Sequence, residues 1–146
     1  MLARTLLPRS QQLSEEKNVI ERNTVVALSP RTFQMKRREY ALENTKPICR
    51  FMDTAIMVGA WEGFPARLVV IPEMAIRGMI ANTPGNRARE KEFAMTIPGP
   101  ETDEPCRKAK EINAFTAAEL YMVKDDDFPD RYDNVAFIVS PKGEIV

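Results

Sequence analysis

An uninterrupted apolar run, Leu68-Val69-Val70-Ile71, is the feature that most constrains how this chain can fold. Strands with one solvated face alternate apolar and polar residues, whereas strands covered on both faces are continuous runs of Val, Ile and Leu. The run therefore predicts a strand covered on both faces, as in a parallel sheet with helices packed over it. An earlier β-branched run from Thr24 to Leu28 predicts another strand, which ends at Ser29-Pro30.

The segment between these two strands has the spacing of an amphipathic helix. Ile48, Met52 and Ala55 recur at intervals of three or four residues, which places them on one side of a helix. A strand, a helix and a second strand in this order predict a β-α-β unit that begins at residue 24.

Two residues set the expected ends of that helix. Pro47 fits the first turn of a helix better than its interior, so we expect the helix to begin near Thr45. The charged stretch 36–43 would then form a separate turn. The helix is expected to end near Trp61, because Gly63 follows.

The rest of the chain predicts a long connection, a second helix and further strands. The connection covers residues 76–100, and a short helix is expected within it at 87–93. Thr102 is the expected N-cap of the second helix. Strands are expected at 117–123 and 135–139, and Ile145-Val146 would begin another.

These elements predict an α/β fold with one domain. The chain has 146 residues, which suits a single domain. Residues 1–22 are polar without a clear period and are expected to form a mobile arm, which leaves 23–146 as the domain.

Composition excludes several classes of function. There is no histidine, which removes Ser-His-Asp and Cys-His catalysis and the commonest zinc ligand. Lys plus Arg equals Asp plus Glu at 21 each, so nothing predicts a nucleic-acid partner. No segment is apolar for long enough to cross a membrane. No metal or cofactor is expected. Cys49 and Cys106 form no CxxC pair, which fits a reducing cytoplasm.

Three segments, in this order, resemble the nitrilase superfamily of carbon–nitrogen hydrolases. They are LVVIPEMAIRG at 68–78, IPGPETD at 97–103 and YDNVAFIVSPKGEIV at 132–146. The ordered set, and no single motif, carries the resemblance, which covers roughly residues 24–146. The chain departs from the family at the end of the first strand, where Ser29-Pro30 occupies the region of a frequent Gln.

The resemblance implies a fold, an activity and a catalytic residue. The fold would be a four-layer α-β-β-α sandwich, incomplete here, with a mixed sheet and helices on one face. The family hydrolyses linear amides or nitriles with a Glu-Lys-Cys triad and commonly forms homo-oligomers. Glu73 is carried over as the general base.

The family's lysine lies a few residues after Gly-Glu-Ile-Val and its cysteine later still, both beyond Val146. We therefore expect a domain truncated at its C-terminal end and inactive alone. The alternative is a non-catalytic half-domain that binds its missing half or a homologous subunit.

Four other residues are candidate members of the site. Cys49 and Cys106 lie on apolar faces of predicted helices and match no nucleophile position, so a structural role is expected. Glu119 could face the pocket, or it could be the solvent-facing member of an alternating strand, which we favour. An acid/base pair of Glu73 with Glu119 is a further alternative. Lys124 and Lys142 flank turns and are expected on the surface.

Overall fold

The computed structural model describes residues 23–80, 83–85, 90–125, 127–128 and 131–146. The arm predicted at 1–22 lies outside these residues. The elements, in chain order, are β1 Thr24–Ala27, α1 Glu39–Trp61, β2 Ala66–Val70, a 3-10 helix Glu90–Phe93, α2 Pro100–Ile112, β3 Phe115–Lys124 and β4 Tyr132–Val139.

The four strands form one mixed sheet in the order β1-β2-β3-β4. The first three strands are parallel, and β4 runs antiparallel to β3. Helices α1 and α2 pack against each other and both contact the sheet. The predicted β-α-β unit and the α/β class, with a mixed sheet and helices on one face, are confirmed.

One face of the sheet forms the core with the helices. Val69, Leu120 and Val139 are fully buried on it, and Ile48 and Met52 of α1 are fully buried in the same core. The pairing register places another set of apolar residues on the opposite face. On that face the exposed fractions are 61% for Val25, 44% for Phe115 and 46% for Ile138.

The prediction that the Leu68–Ile71 strand is covered on both faces is wrong for the described residues. Val69 and Ile71 are buried, but Leu68 and Val70 are only partly covered. The reason is that both helices lie on one side of the sheet, so alternate residues of β2 face outward.

Helix α1 begins at Glu39, earlier than the expected start near Thr45, and Pro47 lies inside it. An interior proline removes a backbone donor and costs about 3 kcal/mol. Burial of the first turns offsets this cost, because Ala41, Asn44 and Thr45 are all buried. The predicted end at Trp61 is confirmed.

Helix α2 begins at Pro100 with Gly99, not Thr102, as its N-cap. Thr102 lies in the first turn, and its hydroxyl accepts a hydrogen bond from the Gly99 N–H at 3.0 Å. Glycine is required at 99 because a Cβ there would lie 2.5 Å from the Thr96 carbonyl oxygen. The predicted cap is therefore wrong in position, although Thr102 does satisfy a backbone donor at this end.

The remaining elements lie where the sequence predicts them, with shifted ends. β3 and β4 begin earlier than expected. The 3-10 helix Glu90–Phe93 lies within the helix predicted at 87–93, whose first residues are outside the described ranges. Ile145 forms a single antiparallel bridge with Val139 where a further strand was expected to begin.

Candidate active site

Glu73 lies in a turn directly after β2, at the carboxyl end of the parallel strands, and it is exposed. This turn, residues 71–78, is closed by its own backbone: Ala75 N–H donates to Pro72 O at 3.2 Å, and Gly78 N–H to Met74 O at 2.7 Å. Ligands of open α/β sheets bind at this edge. The turn therefore presents the Glu73 carboxylate where a substrate could approach it.

A buried asparagine on α1 fixes the far end of the 71–78 turn. Asn44 accepts a hydrogen bond from Phe33 N–H at 2.7 Å and donates one to Phe33 O at 3.3 Å. Gly78, at φ +79°, packs so closely that a Cβ would lie 2.1 Å from the same Phe33 oxygen. Met35 N–H donates to Met79 O at 2.8 Å just beyond. The turn is thus held against the segment that precedes α1.

Glu119 on β3 reaches the same turn. It is partly buried, and its Oε2 accepts a hydrogen bond from the Met74 N–H at 3.1 Å. Glu119 lies on the open face of the sheet with Phe115, as the alternation of strand side chains predicts, but its carboxylate also binds the backbone of the residue that follows Glu73. Alternation of faces along a strand says which side a residue lies on, but not whether a neighbouring turn folds over it.

Four influences act on the pKa of the Glu119 carboxyl. Burial, the largest, raises the pKa above the ordinary 4.5, and the Met74 hydrogen bond lowers it. The nearby Glu73 carboxylate raises the pKa, and Arg77 lowers it. The net direction is upward. Glu73 and Glu119 are therefore close enough to affect each other electrostatically.

Arg77 is a member of this region that the sequence did not single out. It is 2% exposed, and its guanidinium carbon lies 4.4 Å from the centre of the Tyr121 ring. Stacking on an aromatic ring suits a buried guanidinium. The sequence contains one indication of a buried arginine, since Arg77 follows the apolar residues Met74 to Ile76. This pattern alone does not assign Arg77 a role.

The raised pKa of Glu119 predicts a pH dependence of stability. A carboxyl with a folded pKa above its unfolded value stabilises the fold below the unfolded pKa, and this contribution is lost as pH rises through the folded pKa. Urea titrations at several pH values between about 4 and 7 give the free energy of unfolding as a function of pH. We expect this loss of stability in the parent chain, and a shallower slope of the free energy against pH in Glu119→Gln. Glu62→Gln, at an exposed site, is the control. Equal slopes in all three proteins would contradict the prediction.

The two cysteines are placed on the helices, as expected. Cys49 is buried on α1, and burial raises its pKa to about 11. Cys106 on α2 is partly buried, and burial, followed by Asp103, raises its pKa too. Cys49 lines a groove of about 480 Å³ between the two helices, and no residue of the 71–78 turn lines this groove. The structural role predicted for Cys49 is consistent with this position.

Alkylation provides a check on both thiols. At pH 7 a thiol of pKa about 11 is ionised in roughly one molecule in ten thousand, and only the thiolate attacks. With iodoacetamide and mass spectrometry we expect Cys106 to be modified first and Cys49 at least about tenfold more slowly. If Cys49 reacts as fast as Cys106, the prediction fails and Cys49 becomes a candidate nucleophile.

Other candidate groups give no site in the described part of the chain. Lys124 and Lys142 are exposed. Across the described ranges, no group of three or more Cys, Asp or Glu side chains is arranged to hold a metal ion. No helix in those ranges is both long and apolar enough to cross a membrane.

Solved structures share this arrangement of strands and helices. An amidase from Nesterenkonia sp. AN1 superposes with a TM-score of 0.55 at 12% identity, over 84% of this chain and 40% of the amidase. A carbon–nitrogen hydrolase from Helicobacter pylori G27 gives 0.55 at 14% identity, over 83% of this chain and 36% of the hydrolase. The described sheet and helices of this chain have the fold of the corresponding part of these carbon–nitrogen hydrolases.

Sequence comparison points to the same group of proteins. A formamidase from Bacillus cereus strain B4264 is 36% identical over 88 residues, and a formamidase from Bacillus thuringiensis strain Al Hakam is 34% identical over 88 residues. Each alignment covers 58% of this chain and 24% of the formamidase. No family model matches the chain. The resemblance to carbon–nitrogen hydrolases is confirmed, and the chain spans about a quarter of the length of these curated relatives.

Proposed function

We propose that this chain is the amino-terminal portion of an enzyme that hydrolyses small linear amides, with Glu73 as its general base. The observation that carries the proposal is the position of Glu73, exposed at the carboxyl end of β2 in a fold shared with amidases. The relatives support an amide substrate: several are formamidases, and one solved neighbour is an amidase in complex with butyramide.

In the proposed reaction, Glu73 takes the proton from a cysteine thiol, and the thiolate attacks the amide carbon. A lysine stabilises the oxyanion that develops, and Glu73 returns the proton to the amide nitrogen, which leaves as ammonia while a thioester forms. Water then hydrolyses the thioester to the carboxylic acid and regenerates the cysteine thiol. Cys49 is unsuited to the nucleophile's role because burial raises its pKa to about 11. We propose that the cysteine and the lysine come from sequence beyond Val146, so that this chain retains only the glutamate and is inactive alone. A cytoplasmic location and a homo-oligomeric enzyme are further parts of the proposal.

Ammonia release tests this proposal. The purified chain, incubated with formamide, acetamide or butyramide, is expected to release no ammonia above the buffer level. When a segment supplying the lysine and cysteine is joined after Val146, hydrolysis is expected, and Glu73→Gln should reduce it by about 10²- to 10⁴-fold. Glu62→Gln, at the exposed residue directly after α1, should leave it unchanged. Hydrolysis by the chain alone, or full activity of Glu73→Gln, would contradict the proposal.

A second candidate is a half-domain that binds its missing half or a homologous subunit. It is favoured by the exposed apolar face of the sheet, where Val25, Phe115 and Ile138 lie. Apolar faces of this kind promote association. Light scattering of the purified chain distinguishes the two candidates, since a monomer that unfolds cooperatively would count against the binding module.

A further inference from the structure

The backbone ladder between β2 and β3 stops just before Glu73. The paired residues run from Leu68 with Phe115 to Val70 with Ala117. Ile71 N–H then donates to Ala117 O at 2.8 Å, which is the last bond of the ladder. Pro72 follows and has no N–H to donate.

The next tie between the two segments is made by a side chain. Met74 N–H donates to Oε2 of Glu119 at 3.1 Å. Glu119 lies two residues beyond Ala117 on β3, so both project from the same face of that strand. Ala117 thus binds the backbone at Ile71, two residues before Glu73. Glu119 binds it at Met74, one residue after Glu73.

We infer that Glu119 is a positioning residue for Glu73: its carboxylate extends the β2–β3 ladder past Pro72 and fixes the backbone on the far side of the general base. This inference rests on the function proposed for Glu73. The inferred positioning of Glu73 by Glu119 runs through the Met74 amide, which the Glu119 carboxylate holds by a hydrogen bond.

The conformation of Met74 shows why such a tie is needed. Met74 has φ +62°, in the left-handed region that disfavours residues with a Cβ. Glycine would adopt this conformation freely, and methionine lacks the short polar side chain with which Asn or Asp stabilises it locally. The hydrogen bond to Glu119, with the Gly78 N–H to Met74 O bond at 2.7 Å, holds the residue there.

The hydrogen bond from the Met74 N–H to Glu119 depends on pH, because Glu119 ionises among other charged groups. Glu73 and Arg77 of the turn and Tyr121 of β3 are the titratable or charged groups of this region, and Arg77 stacks on Tyr121. Among the described residues, no group hydrogen-bonds to the buried Oε1 of Glu119. A proton can therefore occupy Oε1 while Oε2 keeps its bond to Met74, and ionisation strengthens that bond by adding charge to the acceptor.

Nuclear magnetic resonance of the intact chain tests the inference at the Met74 amide. As pH rises, the Met74 amide proton is expected to shift downfield with a midpoint above 4.5, following the ionisation of Glu119. Glu119→Gln should remove most of this shift, and Glu73→Gln should keep it at a lower midpoint, since the Glu73 charge opposes ionisation of Glu119. A Met74 amide that does not move with pH, or moves equally in Glu119→Gln, would overturn the inference.

A second measurement asks whether the tie orders Glu73 itself. In the parent chain we expect a backbone order parameter of about 0.85 at Glu73, falling toward about 0.6 in Glu119→Ala, which removes the acceptor of the Met74 N–H. Amide exchange at Met74 should become about tenfold faster in the same variant. Glu62→Ala, the same truncation at an exposed site, should alter neither. An unchanged order parameter at Glu73 in Glu119→Ala would exclude the positioning role.

These outcomes separate the inference from the proposed function. If Glu73 is not the base, the Met74 titration still responds to Glu119→Gln and the order parameters still respond to Glu119→Ala, and only the ammonia assay fails. If Glu119 does not position the turn, the Met74 titration is absent whatever the ammonia assay shows.

Discussion

Gly78→Ala is expected to lower the free energy of unfolding by about 3 to 5 kcal/mol, as overpacking against backbone adds to left-handed strain. Gly78 has φ +79°, and a Cβ there would lie 2.1 Å from the carbonyl oxygen of Phe33 and 2.9 Å from the amide nitrogen of Asn44. Neither neighbour can retreat easily, because the Asn44 side chain already binds the Phe33 backbone on both its N–H and its carbonyl. Urea denaturation measures the loss.

Gly63→Ala is the matched control for this prediction. Gly63 has φ +76°, nearly the same conformation, but nothing lies within 4 Å of the position its Cβ would take. Its substitution should cost only the left-handed strain, about 1 kcal/mol. Equal losses in the two variants would contradict the close packing of the 71–78 turn against Phe33.

Removal of the Glu101 carboxylate is the second large expected effect. Glu101 is 1% exposed in the first turn of α2, and Arg38, 30% exposed, pairs with both of its oxygens. The Arg38 Nη2 to Glu101 Oε2 distance is 2.8 Å. Arg38 directly precedes α1, so this pair joins the starts of the two helices. The partly exposed Arg38 can return to water, and we therefore expect Glu101→Ala to cost about 3 kcal/mol, the lower end for a broken buried pair.

An exposed pair provides the comparison. Lys46 Nζ lies 2.9 Å from Glu43 Oε1 on α1, with the two side chains 60% and 51% exposed. Glu43→Ala should change the free energy of unfolding by less than about 0.5 kcal/mol, because solvent screens the pair. In a double-mutant cycle, Glu101→Ala and Arg38→Ala should be strongly non-additive. Additive losses would show that Glu101 stabilises the fold through burial of its methylene groups and not through its pair with Arg38.

The order of strands and helices could be predicted because each depends on local pattern. The β-branched run at Thr24 and the apolar run at Leu68 both form strands, and the helix between them makes those strands parallel. The position of Glu73 at a strand end follows from the same run, since Pro72 must end it.

The features that the sequence could not predict depend on contacts between distant residues. Helix α1 begins at Glu39, because burial of Ala41 and Asn44 in the fold offsets the cost of Pro47. Gly99 caps α2 because of its approach to the Thr96 backbone. Glu119 lies 45 residues after Met74, and no periodicity in either segment indicates that its carboxylate accepts the Met74 N–H.

The coverage of one sheet face illustrates the same limit. A continuous apolar run predicts a strand whose two faces both meet apolar groups, but it does not identify the groups. In the described residues, the helices cover the face of Val69, and the face of Leu68 and Val70 remains partly open. The apolar residues Val25, Phe115 and Ile138 on that open face are consistent with the proposal that further sequence completes the fold.

The DNA on the 3′ side of codon 146 provides the most direct test that this chain is the amino-terminal portion of an amide hydrolase. We expect a lysine codon within a few residues of the Gly143-Glu144-Ile145-Val146 segment and a cysteine codon farther downstream, in the same or a shifted reading frame. These are the residues that Glu73 would need for covalent catalysis. Absence of the lysine codon at that position in every forward frame, or of a downstream cysteine codon in the frame that holds the lysine, would contradict the proposed origin of the chain and leave Glu73 without a partner that catalysis needs.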